Sequence, residues 1–308
     1  MRKFDTIFDV YDENDKFTFL YCNISNKLEL MDKYFDYFFD EEIMFQHFNH
    51  LYNVPFTPTK ANYIKLLREL RKFVDDFNLT FPFIHEENDT EFEDVLIEEN
   101  QLQLDGHDFK YHLDKAGKIG EYFFSILLER FFGLNCIIPK AKYTTDYNMS
   151  VYGIDVVYMG EDDGLLYFGE SKFTKNIYNG IVQINKSLSE YEKQVSDEYE
   201  LILNGWDARQ NLSKIYEVYG EKLDYSISFK DFINAAGISE ICIPLFIAHG
   251  TEVEPDEILK ELNKIKKITL FNLNTKYLII SLPIVEKEEF IKTMSQKIVS
   301  RMDEYGKR

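Results

Sequence analysis

Gly153-Ile154-Asp155-Val156-Val157-Tyr158 and, after a short turn, Glu170-Ser171-Lys172 decide how this chain folds. An aspartate opens a β-branched run, Glu161-Asp162-Asp163-Gly164 interrupts it, and Leu165 to Ser171 resumes an apolar run. The pattern predicts a β-hairpin with strands over 154–159 and 165–171. Side chains alternate faces along a strand, so Glu170 and Lys172 are expected to point one way and Ser171 the other. Two carboxylates and one ammonium then gather at one spot, the set that metal-dependent phosphodiester cleavage needs.

Working outward, Gly120 to Phe132 reads as a helix with an apolar stripe at Phe123, Phe124, Leu127, Leu128 and Phe131, closed by Gly133 as a C-terminal cap. Cys136 to Tyr143 is expected as a strand. Asn179 to about Val195 returns to helix, and a helical region continues to about Leu223. Ile241–Ala248 and Tyr277–Ile284 are apolar strands, with helices over 256–267 and 286–302. Continuous apolar strands beside helices imply a sheet covered on both faces. The expected class is therefore α/β (α+β), a mixed central sheet flanked by helices.

The first 110 residues read differently. Tyr34, Phe35, Tyr37, Phe38, Phe45 and Phe48 recur at helical intervals between Leu28 and Tyr52, and Pro55-Phe56-Thr57-Pro58 breaks the pattern. Thr59 is expected to cap an amphipathic helix reaching about Phe77. Glu86 to Glu99 forms an acidic connector, followed by a weak strand and turn. A soft boundary near residue 110 divides an acidic, aromatic-rich N-terminal region (1–110), expected to contact a partner or to regulate, from a catalytic domain (111–308).

The chain carries a net charge of −19, of which residues 1–110 hold −13. Phosphate contacts dominate nucleic-acid affinity, so this balance weighs against a tight free-standing DNA binder, but not against a nuclease whose DNA a partner delivers or one held off by its own acidic region. No apolar run approaches the roughly 20 residues of a membrane span, and the N-terminus has no signal-peptide pattern. Cys22, Cys136 and Cys242 stand far apart, which suits free thiols in a reducing cytoplasm. There is no glycine-rich phosphate loop and no Gly-x-Ser-x-Gly.

Hard oxygen ligands hold Mg²⁺ (or Mn²⁺), which commonly takes one or two carboxylates and keeps several waters. Asp155 and Glu170 are the expected metal ligands. Lys172 would orient the water or offset developing charge. Glu121, in the first turn of the preceding helix, is a further candidate catalytic acid. Blander readings stand beside these: Glu121 as a solvated helix-start acid, Asp155 as a turn residue, Glu170 and Lys172 as a surface ion pair. An aspartate inside Ile-Asp-Val-Val, however, is disfavoured in a strand without a role. His47, His50 and His249 read as structural.

At these residues the chain resembles the PD-(D/E)xK nuclease superfamily, with Ile154 where the superfamily name places proline. More narrowly, Gly120-Glu121, Gly153-Ile154-Asp155, Phe168-Gly169-Glu170-Ser171-Lys172-Phe173 and the strand from Tyr277 to Pro283 are similar to the HamA family, the nuclease-like component of the Hachiman anti-phage system. That resemblance covers roughly residues 110–300. It implies a restriction-endonuclease-like fold, a Mg²⁺-dependent deoxyribonuclease, and a HamB-like helicase partner. The alternatives are a stand-alone restriction or repair nuclease, or a non-catalytic nuclease-fold protein that binds a partner or DNA. An intact Asp155/Glu170/Lys172 set speaks against the last.

Overall fold

The computed structural model describes residues 7–22, 27–52, 74–76, 101–104, 107–111, 116–138, 154–160, 165–204, 220 and 228–307. In chain order these form β1 (Phe8–Glu13), β2 (Phe17–Cys22), α1 (Lys27–Phe38), α2 (Glu41–Tyr52), β3 (Val74–Asp76), β4 (Gln101–Leu104), β5 (His107–Tyr111) and α3 (Ala116–Phe132). There follow β6 (Leu134–Ile138), β7 (Val156–Gly160), β8 (Leu166–Phe173), α4 (Ile177–Leu188), α5 (Tyr191–Asn204) and α6 (Phe229–Ala236). The chain ends with β9 (Glu240–His249), α7 (Pro255–Leu262), β10 (Asn274–Pro283) and α8 (Lys287–Lys307).

A seven-stranded sheet in the order β1-β2-β10-β9-β8-β7-β6 organises the molecule. Its centre is parallel, with β10 beside both β2 and β9, and β8 beside β9. Its margins are antiparallel: β1 with β2, β7 with β8, and β6 with β7. Strands β9 and β10 are buried along nearly their whole length, as a sheet covered on both faces requires. On one face Phe38, Phe123, Phe124, Phe246 and Phe290 build a core with α1, α2, α3 and α8. On the other Phe168, Ile181, Ile184, Tyr199, Phe229, Ile243 and Ile258 build a second core with α4 to α7. The α/β class and mixed sheet expected from sequence are both present.

The N-terminal residues belong to this same architecture. Strands β1 and β2 extend the main sheet, and Phe38 stacks on Phe123 at 4.0 Å between ring centroids. Tyr122 donates its hydroxyl to the Phe38 carbonyl at 2.9 Å, tying α1 to α3. Tyr34, Phe35, Tyr37 and Phe38 from the aromatic pattern thus fill the same core as Phe123 and Phe124. A small sheet, β3-β5-β4, accounts for the weak strand and turn. Most of the expected helix from Thr59 lies outside the described residues, and its expected end is strand β3 instead. The acidic connector lies outside them; the expected helical region leading to Leu223 is helical as far as Asn204, in α5, and beyond that lies outside them apart from residue 220.

Local chemistry fixes the element ends near the site. Gly133 adopts φ +57° and its N–H bonds the Glu129 carbonyl at 3.1 Å, the glycine cap expected after α3. The single helix expected over 179–195 is two: Ser189 turns back on the Lys186 carbonyl through its N–H (3.2 Å) and Oγ (2.6 Å). The described part of β6 starts at Leu134, earlier than Cys136, and α7 stops at Leu262 rather than 267.

Candidate active site

The hairpin β7–β8 forms in the expected register, with Val156 opposite Gly169. A β-carbon on Gly169 would lie 2.6 Å from Val156 Cγ2 and 2.8 Å from both Phe124 and Pro244, so only glycine lets α3 press this closely on the sheet. Gly169 therefore sets the seat of the neighbouring Glu170.

Asp155 stands where β7 begins. Its N–H extends the ladder to the Gly169 carbonyl at 3.0 Å. Its Oδ2 then accepts the Ser171 N–H at 2.6 Å and the Ser171 hydroxyl at 3.0 Å. The carboxylate thus takes the place of a strand partner for Ser171. Ser171 was expected to point away from the chemistry. It joins the site instead, because pairing stops at Asp155 and the carboxylate folds over the strand end.

Glu170 is 4% exposed. Its Oε1 accepts the Lys172 ammonium and the Ser187 hydroxyl, the latter at 2.7 Å from helix α4. Its Oε2 is buried with no hydrogen-bond partner. Burial, reinforced by the charge of Asp155 and only partly offset by Lys172 and Ser187, pushes the Glu170 carboxyl up to about 7. Burial works against the Lys172 ammonium, yet Glu170, then Asp155 and Glu121, hold its pKa above the ordinary lysine value.

All four expected site residues therefore act on one locus, but not equally. Asp155, Glu170 and Lys172 are linked by direct contact or strong charge coupling. Glu121 is half-buried on α3 and, because the helix starts at Ala116 rather than Gly120, lies beyond its first turn, not within it as expected; it enters through its field on Lys172. Among the described residues no group of three or more His, Cys, Asp or Glu side chains gathers to hold a metal ion. Two carboxylates nonetheless suit Mg²⁺, which fills its remaining positions with water. The orphaned, buried Oε2 of Glu170 is a hard donor of the kind such an ion takes up, and Asp155 is the second ligand that fits.

Ser187 escaped the sequence reading, since nothing in its spacing from Glu170 signals contact across two elements. Tyr191 escaped it as well: its buried hydroxyl donates to the Phe168 carbonyl at 2.9 Å and pins α5 to β8. His249 is the structural residue expected. Its Nε2 meets Ser281 Oγ at 2.7 Å, its Nδ1 accepts the Thr251 N–H at 3.1 Å, and burial depresses its pKa to about 4. The side chains of His47 and His50 lie outside the described residues. Cys22, Cys136 and Cys242 are free thiols.

A mixed sheet with helices on both faces, carrying an aspartate at the head of β7 and a Glu-x-Lys pair on the adjacent antiparallel β8, is an α/β fold consistent with a nuclease-like one. The chain matches the HamA family model over residues 8–298 and belongs to that family. It is thus a member of a family of anti-phage defence proteins, and the match runs through the first hundred residues that the motifs alone leave uncovered. No curated protein and no solved structure matches it. Among the described residues no helix is long and apolar enough to cross a membrane.

Proposed function

We infer that this protein is a metal-dependent deoxyribonuclease, the cutting component of a cytoplasmic defence system in which a HamB-like helicase supplies the DNA. One observation carries the reading: a deeply buried Glu170 with an unpartnered oxygen, set against Asp155 and Lys172. A structural ion pair gains little from such an arrangement, because burial costs the carboxylate more than one lysine returns. A catalytic centre uses it.

Asp155 and Glu170 would hold Mg²⁺ or Mn²⁺, which when bound polarises the phosphoryl oxygen and acidifies a coordinated water. Ser171 fixes Asp155 by two hydrogen bonds, so this carboxylate needs no reorganisation before use. Ser187 fixes Glu170 from the opposite element. Lys172 keeps its proton in the field of three carboxylates, and that positive charge offsets the negative charge gathering on the phosphoryl group.

The test is plasmid degradation by the full-length chain with Mg²⁺, with and without the helicase, beside a Lys172→Ala control. Mg²⁺-dependent loss of the plasmid, abolished by EDTA and by the variant, is expected. Cleavage unaffected by either would end the reading.

A further inference from the structure

Helix α4 carries a second arrangement that the catalytic residues do not absorb. From Ser171 to Ser189 the chain has no aspartate or glutamate but has Lys172, Lys175 and Lys186, whereas 54 of its 308 residues are acidic. The stretch lies beside the site. Ser187 touches Glu170 at one end of α4, while Gly180 packs on Thr174 and Ile247 nearer the other, so the helix runs back along the end of β8. Asn179, Gln183 and Ser187 form one i, i+4, i+8 row, with Lys186 next to it. Asn179, Gln183, Lys186 and the preceding Lys175 are all exposed. A polar, cationic, carboxylate-free row thus leads along the protein surface to the buried catalytic glutamate.

We propose that this row is the substrate track: the phosphodiester backbone of the nucleic acid lies along α4, with Lys175 and Lys186 on phosphates and Asn179 and Gln183 donating to phosphate oxygens. The inference rests on the nuclease reading and deepens it. Contacts made to phosphates carry no sequence information, so binding through this row is sequence-independent. In a chain of net charge −19, α4 carries no carboxylate of its own, whereas α7, packed against it, carries Asp256, Glu257 and Glu261, so a polyanion meets less repulsion along α4 than along its neighbour.

The test is fluorescence anisotropy of the full-length chain with a labelled 25-base-pair duplex in EDTA, across a salt series. Lys175→Ala/Lys186→Ala should weaken binding about tenfold and lower the salt slope by roughly two, one for each lost phosphate contact. Lys230→Ala, at an exposed position of α6, alters net charge but not the track and should change affinity less than twofold. Two different duplex sequences should bind alike. Equal losses at Lys230 and at the track, an unchanged slope, or no binding by the wild type at 50 mM salt would overturn the proposal. So would a loss confined to Tyr178→Ala/Val182→Ala, the exposed apolar pair on α4, which would assign the helix to a protein partner. If the wild type binds through the track yet cuts nothing with Mg²⁺ and helicase, the nuclease reading fails and the track stands. Normal cutting by a double variant that binds as the wild type does removes the track alone.

Discussion

Glu170→Gln should stabilise the metal-free protein at pH 8 relative to pH 5, an unusual gain from deleting a charge that sits on a lysine. In the fold this carboxyl titrates near 7 instead of the ordinary 4.5. An offset of that size costs the ionised folded state about 3 kcal/mol. The folded pKa is the higher one, so the folded state holds the proton longer. The cost is therefore absent below about 4.5, grows as pH rises, and is complete above about 7. Glutamine mimics the protonated acid at every pH. It leaves a buried amide NH₂, with two donors, where Oε2 now sits, a penalty of at least about 1–3 kcal/mol that does not vary with pH. The quantity to measure is thus the variant-minus-wild-type difference at two pH values, by urea unfolding in EDTA followed by circular dichroism. That difference should move in the variant's favour by about 2–3 kcal/mol from pH 5 to pH 8. A pH-independent difference would refute the argument that burial outweighs Lys172 at this carboxylate. With Mg²⁺ the sense should reverse, since only the wild type keeps both ligands.

Lys172→Ala should lower cleavage by at least about 10²-fold while the variant remains folded by circular dichroism, because the charge serves mainly the transition state; wild-type turnover would reassign it to a surface ion pair. Activity should require Mg²⁺ or Mn²⁺ and vanish in EDTA, checked by plasmid degradation. Gly169→Ala should destabilise by about 1–3 kcal/mol in denaturant titration, as its β-carbon meets Val156, Phe124 and Pro244 at once. His249 carries the opposite pH sign to Glu170: its folded pKa of about 4 lies below 6.5, so the folded state loses stability as pH falls through that interval. Wild type should give up about 2 kcal/mol from this group between pH 7 and pH 5, and His249→Gln should be spared that loss in urea titrations at the two values.

The hairpin was legible because alternation is a local signal: Asp155, Glu170 and Lys172 sit in the register that the apolar runs dictate. The cap at Gly133 was legible for the same reason. Strands β1 and β2 were not, since Asp9, Asp12 and Glu13 interrupt the apolar pattern of edge strand β1, and β10, the other partner of β2, lies far along the chain. The two serines show the limit at the site itself. Ser171 obeys strand alternation until Asp155 ends the ladder, and its contact depends on that ending. Ser187 reaches Glu170 only because Gly180 lets α4 settle against Ile247, a packing event with no trace in local sequence.

Strand β2 is held between β1 and β10, with Phe17 opposite Tyr277. Both strands must therefore be made before β2 finds this second mate, and joining segments so distant in sequence is the slow, entropically costly part of folding. A chain cut short before β10 leaves two long apolar edges, on β2 and β9, open to aggregation and proteolysis. The strand that closes the sheet, β10, is thus also the one that shields both of those edges.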